Sequence, residues 1–211
     1  NHVIGAKINA GDIAEGQSYA STASAAGPEG SALSILIEKN GGSVTINGSS
    51  SVTAADINAD NGVIHIVNEV IMPLDLVGHA AANSNFSTLV GALSGAPGGL
   101  VSALQAAGPY TVFAPLNSAF TEIEAVVASL TPEQLTTVLT YHVVAGSNVA
   151  STALSNGMSV ASLSGQEFTV NLEGGASITD QGGGQSNIVI VDVQATNGII
   201  HVLDKVLIPS L

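Results

Sequence analysis

The chain has no cysteine, no tryptophan and no arginine, and its only cationic side chains in 211 residues are Lys7, Lys39 and Lys205. Each absence removes a class of chemistry. Without cysteine there is no disulfide framework, no thiolate zinc site and no thiol nucleophile. Three lysines against 16 acidic residues cannot neutralise a run of phosphates. Nucleic-acid binding is therefore excluded, and anionic membrane surfaces are disfavoured. The net charge of −13 favours solubility and attracts cations. Aromatic residues make up only 3% of the chain, so a core has to be assembled from Val, Ile, Leu and Ala. No run reaches the roughly 18 apolar residues of a membrane span, so no membrane insertion is expected in this segment. The opening Asn1-His2-Val3 has no leader character, and for an exported protein the targeting segment is expected upstream.

What the chain does have is a long-range repeat. Asn61-Gly62-Val63-Ile64-His65-Ile66-Val67-Asn68-Glu69-Val70-Ile71-Met72-Pro73 returns as Asn197-Gly198-Ile199-Ile200-His201-Val202-Leu203-Asp204-Lys205-Val206-Leu207-Ile208-Pro209. The copies lie 136 residues apart (209 − 73). That is too long for a solenoid period and close to the size of a domain. His2-Val3-Ile4 likewise answers His142-Val143-Val144. The expected organisation is a complete domain over residues 74–211, preceded by the C-terminal half of another over residues 1–73.

Periodicity supports that division. Residues 1–73 read as strands. Val3, Ile4 and Ile8 open the first; Leu33, Ile35 and Ile37 alternate; Asn40-Gly41-Gly42, Asn47-Gly48 and Asp60-Asn61-Gly62 supply turns. The Val63–Ile71 stretch is apolar on both faces, which predicts a central, covered strand. Residues 74–140 change to helical spacing. Ser84 is a candidate cap for a helix carrying Phe86, Leu89, Val90 and Leu93, and Asn117 for one carrying Phe120 and Ile123. Thr131-Pro132-Glu133-Gln134 is a strong helix start. Between them, Tyr110–Ala114 reads as a buried strand. Strands return after residue 141, with a glycine-rich hairpin over residues 174–184. A helical front and a strand-rich back make an α+β fold.

Three segments carry a family resemblance: Tyr110-Thr111-Val112-Phe113-Ala114-Pro115-Leu116-Asn117-Ser118-Ala119-Phe120, Tyr141-His142-Val143-Val144, and the closing Asn197–Leu207. In this order and spacing they resemble the motifs of the fasciclin domain family, fully over residues 74–211 and as a second half over residues 1–73. The resemblance implies a β-sheet wedge with a helical front half, in tandem copies. It also implies a non-enzymatic adhesion or matrix role in a secreted or cell-surface protein, with a cell-surface or matrix protein, or another copy of the chain, as partner. The earlier copy departs from the pattern: it lacks the first motif, and Asn1 stands where Tyr141 stands later. A half-domain exposes apolar faces and strand edges. Three explanations stay open: a separate companion piece, completion by a neighbouring chain, or a trimmed fragment.

Candidate sites are few. The resemblance gives Tyr141 and His142 a partner-binding role, because this segment is linked to integrin binding in some animal members. Their neighbours Val138, Leu139, Val143 and Val144 point first to a buried packing and hydrogen-bonding pair. His65 and His201 occupy equivalent repeat positions without a carboxylate at ligand spacing, so both read as structural, as does Asn117. Asp56, Asn58 and Asp60 alternate like a weak calcium loop but lack the closing glutamate. Gly182-Gly183-Gly184 has no following Lys-Ser/Thr and reads as a hairpin tip, not a phosphate cradle. There is no Gly-x-Ser-x-Gly elbow and no marked acid pair, so no enzyme and no cofactor is expected. Asn47-Gly48-Ser49 and Asn85-Phe86-Ser87 are formal glycosylation acceptors. The expected function is adhesion or matrix interaction through protein, or glycan, contacts. The alternative is a self-assembling structural subunit in which a neighbouring chain completes the first half-domain.

Overall fold

The computed structural model describes all residues, 1–211. The strands form two separate sheets. The N-terminal sheet is a meander in chain order: β1 (Gly16–Ser21), β2 (Ser34–Asn40), β3 (Ser43–Ile46), β4 (Ser50–Ala59) and β5 (Gly62–Val67). Asn47 and Gly48 make the turn between β3 and β4 with φ of 51° and 72°, the mirror-type hairpin geometry that Asn-Gly favours.

Six helices follow, with one strand among them: α1 (Leu76–Ala82), α2 (Ser87–Gly95), α3 (Leu100–Gln105), β6 (Tyr110–Pro115), α4 (Asn117–Glu122), α5 (Glu124–Ser129) and α6 (Pro132–Tyr141). Then come β7 (Val143–Ala145), β8 (Met158–Ala161), β9 (Glu167–Asn171), β10 (Ser177–Thr179), β11 (Gln185–Ala195) and β12 (Gly198–Leu203). The C-terminal sheet has the order β7-β6-β12-β11-β10-β9-β8. Its one parallel pair joins β12 to β6, with Gly198 opposite Tyr110 and His201 opposite Phe113. The α+β expectation is met.

Helix starts follow the sequence in part. Thr131 and Gln134 form the expected reciprocal box at the start of α6. Ser84 does not cap α2. Asn83 takes the cap of the short 3₁₀ turn Ser84–Phe86 that precedes it. Asn117 does not cap its own helix either. Its Oδ1 accepts from the Thr88 amide at 2.9 Å and its Nδ2 donates to Ser84 O at 2.8 Å, so it caps α2 from the side. Helix α1 was hidden by Gly78 and a run of alanines; the Asp75 carboxylate caps it through the Gly78 amide at 2.6 Å.

The C-terminal sheet is covered on both faces. Ile200 and Val202 of β12 meet the helices through Leu76, Phe86, Leu89 and Leu139 in a cluster of 18 buried residues. On the opposite face Phe113, Tyr141, Phe168, Val170, Ile178 and Leu203 belong to a second cluster of ten. The N-terminal sheet has a cluster of only five.

The repeat is reproduced in three dimensions. Strands β4 and β5 pair as Val52↔Val67, Ala54↔Ile66, Ile57↔Ile64, Asn58↔Val63 and Ala59↔Gly62. Strands β11 and β12 pair as Ile188↔Leu203, Ile190↔Val202, Val193↔Ile200, Gln194↔Ile199 and Ala195↔Gly198, with irregularities at the same two places. Two expectations fail for one reason. Strand β5 ends at Val67 and lies at an edge, not in the centre: Ile64 and Ile66 are 54% and 48% exposed, whereas Ile200 and Val202 are at 2% and 0%. Val3, Ile4 and Ile8 form no strand. In the later copy β6 pairs with β12 on one side and β7 on the other. Nothing in the earlier copy plays the part of β6, so β5 loses its neighbour and the counterpart of β7 has no ladder to join.

The edge formed by β1 and β2 rests on the C-terminal half. Tyr19 OH accepts from Asn83 Nδ2 at 2.8 Å, its ring lies 6.0 Å from that of His79, and Ser34 Oγ accepts from the Gln194 amide at 2.9 Å. Asn47 ties the connection down, accepting from the Leu36 amide and donating to Met72 O.

Gly198 makes the parallel pairing sterically feasible. A Cβ there would lie 2.2 Å from Tyr110 O, whereas one on its counterpart Gly62 would meet nothing within 4 Å. Gly198→Ala should therefore lower stability by about 3 kcal/mol or more, as overpacking against backbone does, with Gly62→Ala within about 0.5 kcal/mol of wild type. Urea unfolding of the two variants checks this, and equal effects would contradict it.

Candidate functional site

The repeated Asp and His positions build the same device twice. In the bulge of β11, Asp192 has φ of 59° and its amide points at His201 Nδ1 at 3.4 Å. The other ring nitrogen, Nε2, donates to Val149 O at 2.9 Å, and the Asp192 carboxylate takes the Ser151 amide at 2.7 Å as well as the Ser151 hydroxyl. In the bulge of β4, Asp56 has φ of 58° and its amide faces His65 Nδ1 at 3.4 Å. His65 Nε2 donates to Ile8 O at 2.9 Å, and Asp56 Oδ1 accepts from the Ala10 amide at 2.8 Å. Each pair clips an incoming loop to a bulged strand. Asp56 and Asp192 share the 136-residue spacing of the repeat, a signal that could have marked them as a structural pair.

This geometry bears on the calcium candidates. Asp56 spends one carboxylate oxygen on Ala10, Asn58 Oδ1 accepts from Lys7 Nζ at 3.3 Å, and Asp60 lies in the tight turn between β4 and β5. No three His, Cys, Asp or Glu side chains converge anywhere in the chain. Lys39 is committed too: it donates to Ala10 O and Ile13 O and lies 3.9 Å from Glu15. Of the formal glycosylation acceptors, Asn47 is buried with its amide in use, whereas Asn85 is exposed and hydrogen-bonded to Gln17.

Tyr141 and His142 are both buried. Tyr141 OH donates to Glu167 O at 2.8 Å, and its ring packs edge-on against Phe168 at 5.8 Å. His142 Nε2 accepts from the Leu207 amide at 2.9 Å, so Nδ1 carries the proton and donates to Val138 O at 2.8 Å. The neutral ring is fully used, and burial pushes its pKa down to about 4. Asn1 and His2 reproduce half of this: His2 Nε2 accepts from the Ile71 amide at 3.0 Å and Asn1 Nδ2 donates to Ile71 O. His79 is a contrast. Neither ring nitrogen has a hydrogen-bond partner, the Gln194 backbone standing near but outside bonding geometry. Burial lowers its pKa to about 4, with the Asp75 charge opposing that shift.

One surface feature of the later copy escaped the sequence. Where β11 bulges, Val189, Ile190 and Val191 are 49%, 37% and 41% exposed, side by side on an otherwise acidic chain. Both irregularities of β11 fall in this stretch, between Ile188 and Ile190 and between Ile190 and Val193.

The Fasciclin domain model matches residues 1–73 and 84–209. Protein sll1483 of Synechocystis sp. is 41% identical over 143 residues, covering 65% of this chain and 75% of that protein. The Transforming growth factor-beta-induced protein ig-h3 of Sus scrofa is 33% identical over 174 residues, covering 80% of this chain but 24% of its own length. The solved FAS1 domain pair of the insect cell adhesion molecule Fasciclin I superimposes with a TM-score of 0.64 at 18% identity, covering 97% of this chain and 76% of that one. The chain belongs to the Fasciclin domain family, and it shares the fold of a fasciclin domain pair. No helix is long and apolar enough to cross a membrane.

Two of the three buried histidines, His79 and His142, predict acid sensitivity; burial shifts His201 in the same direction. Folded values of about 4 lie below the unfolded 6.5, so between those limits the unfolded chain holds protons that the folded chain refuses. Their contribution is complete above pH 6.5 and fades as pH falls towards 4, by up to about 3 kcal/mol for each histidine. Urea melts at pH 7 and pH 5 should show this loss. His79→Leu should flatten the slope at little cost at pH 7, because no hydrogen bond is lost. His142→Leu should cost about 3 kcal/mol at pH 7, because it strands the Leu207 amide and Val138 carbonyl. Identical behaviour of the two variants would contradict the assignment.

Proposed function

We propose that this chain is an extracellular cell-adhesion or matrix-interaction module. It acts without catalysis, through protein–protein contacts, and residues 1–73 and 74–211 serve as two successive units. Family membership supports the class, together with the fold shared with the cell adhesion molecule Fasciclin I. The observation that carries the reading is the exposed Val189-Ile190-Val191 run, held on a rigid bulged strand of the unit whose core is filled. An apolar run presented on a strongly acidic module suits a partner surface with an apolar centre and a basic rim. Tyr141 and His142 enter this proposal as positioning residues: buried themselves, they fix α6 and the closing segment around Leu207.

Cell attachment to surfaces coated with the full chain tests the proposal. Val189→Glu combined with Val191→Glu should reduce attachment at least about tenfold, as loss of a central interface contact does, with an unchanged thermal midpoint. Attachment no better than to albumin-coated surfaces, or unaltered by the double variant, would count against it.

A further inference from the structure

Among the buried side chains, His79 alone has every polar atom unpartnered: it is 0% exposed and neither ring nitrogen makes a hydrogen bond. Its place in the fold gives that orphaned ring a consequence. The N-terminal sheet is attached to the C-terminal half at a junction on α1 and β11. Asn83 Nδ2 donates to Tyr19 OH, the Gln194 amide donates to Ser34 Oγ, and Gln17 bonds Ser84 Oγ at 3.1 Å and Asn85 Nδ2 at 2.8 Å. No ion pair crosses it, because the only one in the chain joins Lys39 to Glu15. Of the apolar side chains packed against the cluster of 18, Tyr19 alone comes from the N-terminal sheet. His79 adjoins two of these attachments. Its ring lies 6.0 Å from that of Tyr19, and the Gln194 backbone stands beside it.

Little in these surroundings compensates a proton on that ring. On its own helix the Asp75 carboxylate faces it, but the Gly78 amide already takes one oxygen of that carboxylate. From β1 comes Tyr19, whose phenol burial pushes up, so it stays neutral in acid. Helices α2 and α3 and the 3₁₀ turn Ser84–Phe86, which also pack on α1, contain no titratable residue. Strand β12 brings only His201, whose ring lies with Phe113 on the other face of the sheet. Strand β11 brings Asp192, which is bonded to Ser151. A charged imidazole is therefore stranded while the junction is closed and hydrated once it opens.

We propose that His79 is an acid-operated latch: its protonation releases the edge formed by β1 and β2 from α1 and β11, while both sheets stay folded. The sheets are held together near neutrality and hinged in acid. The sign follows from linkage, since the open junction takes up a proton that the closed one refuses. With a closed-state value of about 4 and an ordinary 6.5 once exposed, the opening constant rises about 20-fold from pH 7 to pH 5.

Hydrogen exchange of the full chain at pH 7 and pH 5, corrected for the intrinsic pH dependence of exchange, tests the latch. The Gln194 amide, bonded across the junction to Ser34, reports opening, and the β12 amides report unfolding of the C-terminal half. Protection of Gln194 should fall about 20-fold at pH 5 and should be lower than that of β12 at both pH values. His79→Leu, or His79→Gln where the first fails to fold, should make the Gln194 protection the same at both. His142→Leu, which alters a histidine away from the junction, should leave its pH dependence in place. Three results would overturn the proposal: Gln194 protection that does not change with pH, a fall that persists without His79, or Gln194 and β12 amides exchanging at one common protection. The last would mean that acid unfolds the whole chain and opens no hinge.

Discussion

The parallel ladder between β6 and β12 is the constraint on which the rest of the C-terminal half depends. It is made by strands at opposite ends of that half, and it forms only because Gly198 allows Tyr110 O to come within a distance that a Cβ would forbid. Closing it brings Phe113 over His201 and beside Phe168, and sets Ile200 and Val202 under the helices. Asn197, immediately before the strand, locks the junction: its Nδ2 donates to Leu104 O and Ala106 O, and its Oδ1 accepts from the Leu76 amide. One side chain thereby fixes the end of α3 and the start of α1 on the strand they pack against. A single surface ion pair, Lys39 with Glu15, adds little; apolar burial and backbone pairing hold the molecule together.

The earlier copy, described without a β6, shows which features do not require that ladder. Strands β1 to β5 keep the meander, the two irregularities, the left-handed aspartate and the histidine clip without any β6. These features are therefore local: they follow from turn chemistry and cross-strand pairing within about 60 residues, a scale on which hairpins assemble by themselves. What differs from the later copy is non-local: Ile64 and Ile66 are exposed, and Val3 joins no strand. The comparison separates what the strand sequences specify alone from what the helical layer supplies.

The same division explains how much was legible in the sequence. The repeat, the β6 strand, the Thr131 helix start and the family were readable because each rests on residues adjacent or regularly spaced. The placement of β5 was misread because a doubly apolar strand predicts two covered faces, and the cover was not there to be found. Asn117 was assigned to its own helix because capping is usually a matter of three residues, whereas here its amide reaches across to Ser84 and Thr88. Helix α1 was overlooked because its anchors, Leu76 and His79, are too few to show a period. At the candidate site, burial of the Tyr141–His142 pair could be anticipated from its aliphatic neighbours. The outward turn of Val189–Val191 could not, because it depends on a backbone irregularity that alternation does not encode.

That irregularity also shapes the surface on which the proposed function rests. The irregular stretch of β11 that holds the Ser151 loop through Asp192 also carries the exposed Val189 and Val191. In the earlier copy the same bulge presents Thr53 and Ala55 at the corresponding positions, so the geometry is shared while the chemistry is not. A module can in this way keep its scaffold and vary its contact surface by changing residues that contribute almost nothing to the core. The arrangement suits repetition: each copy retains the aspartate–histidine clip that shapes the strand, while the residues displayed beside it differ between the two copies.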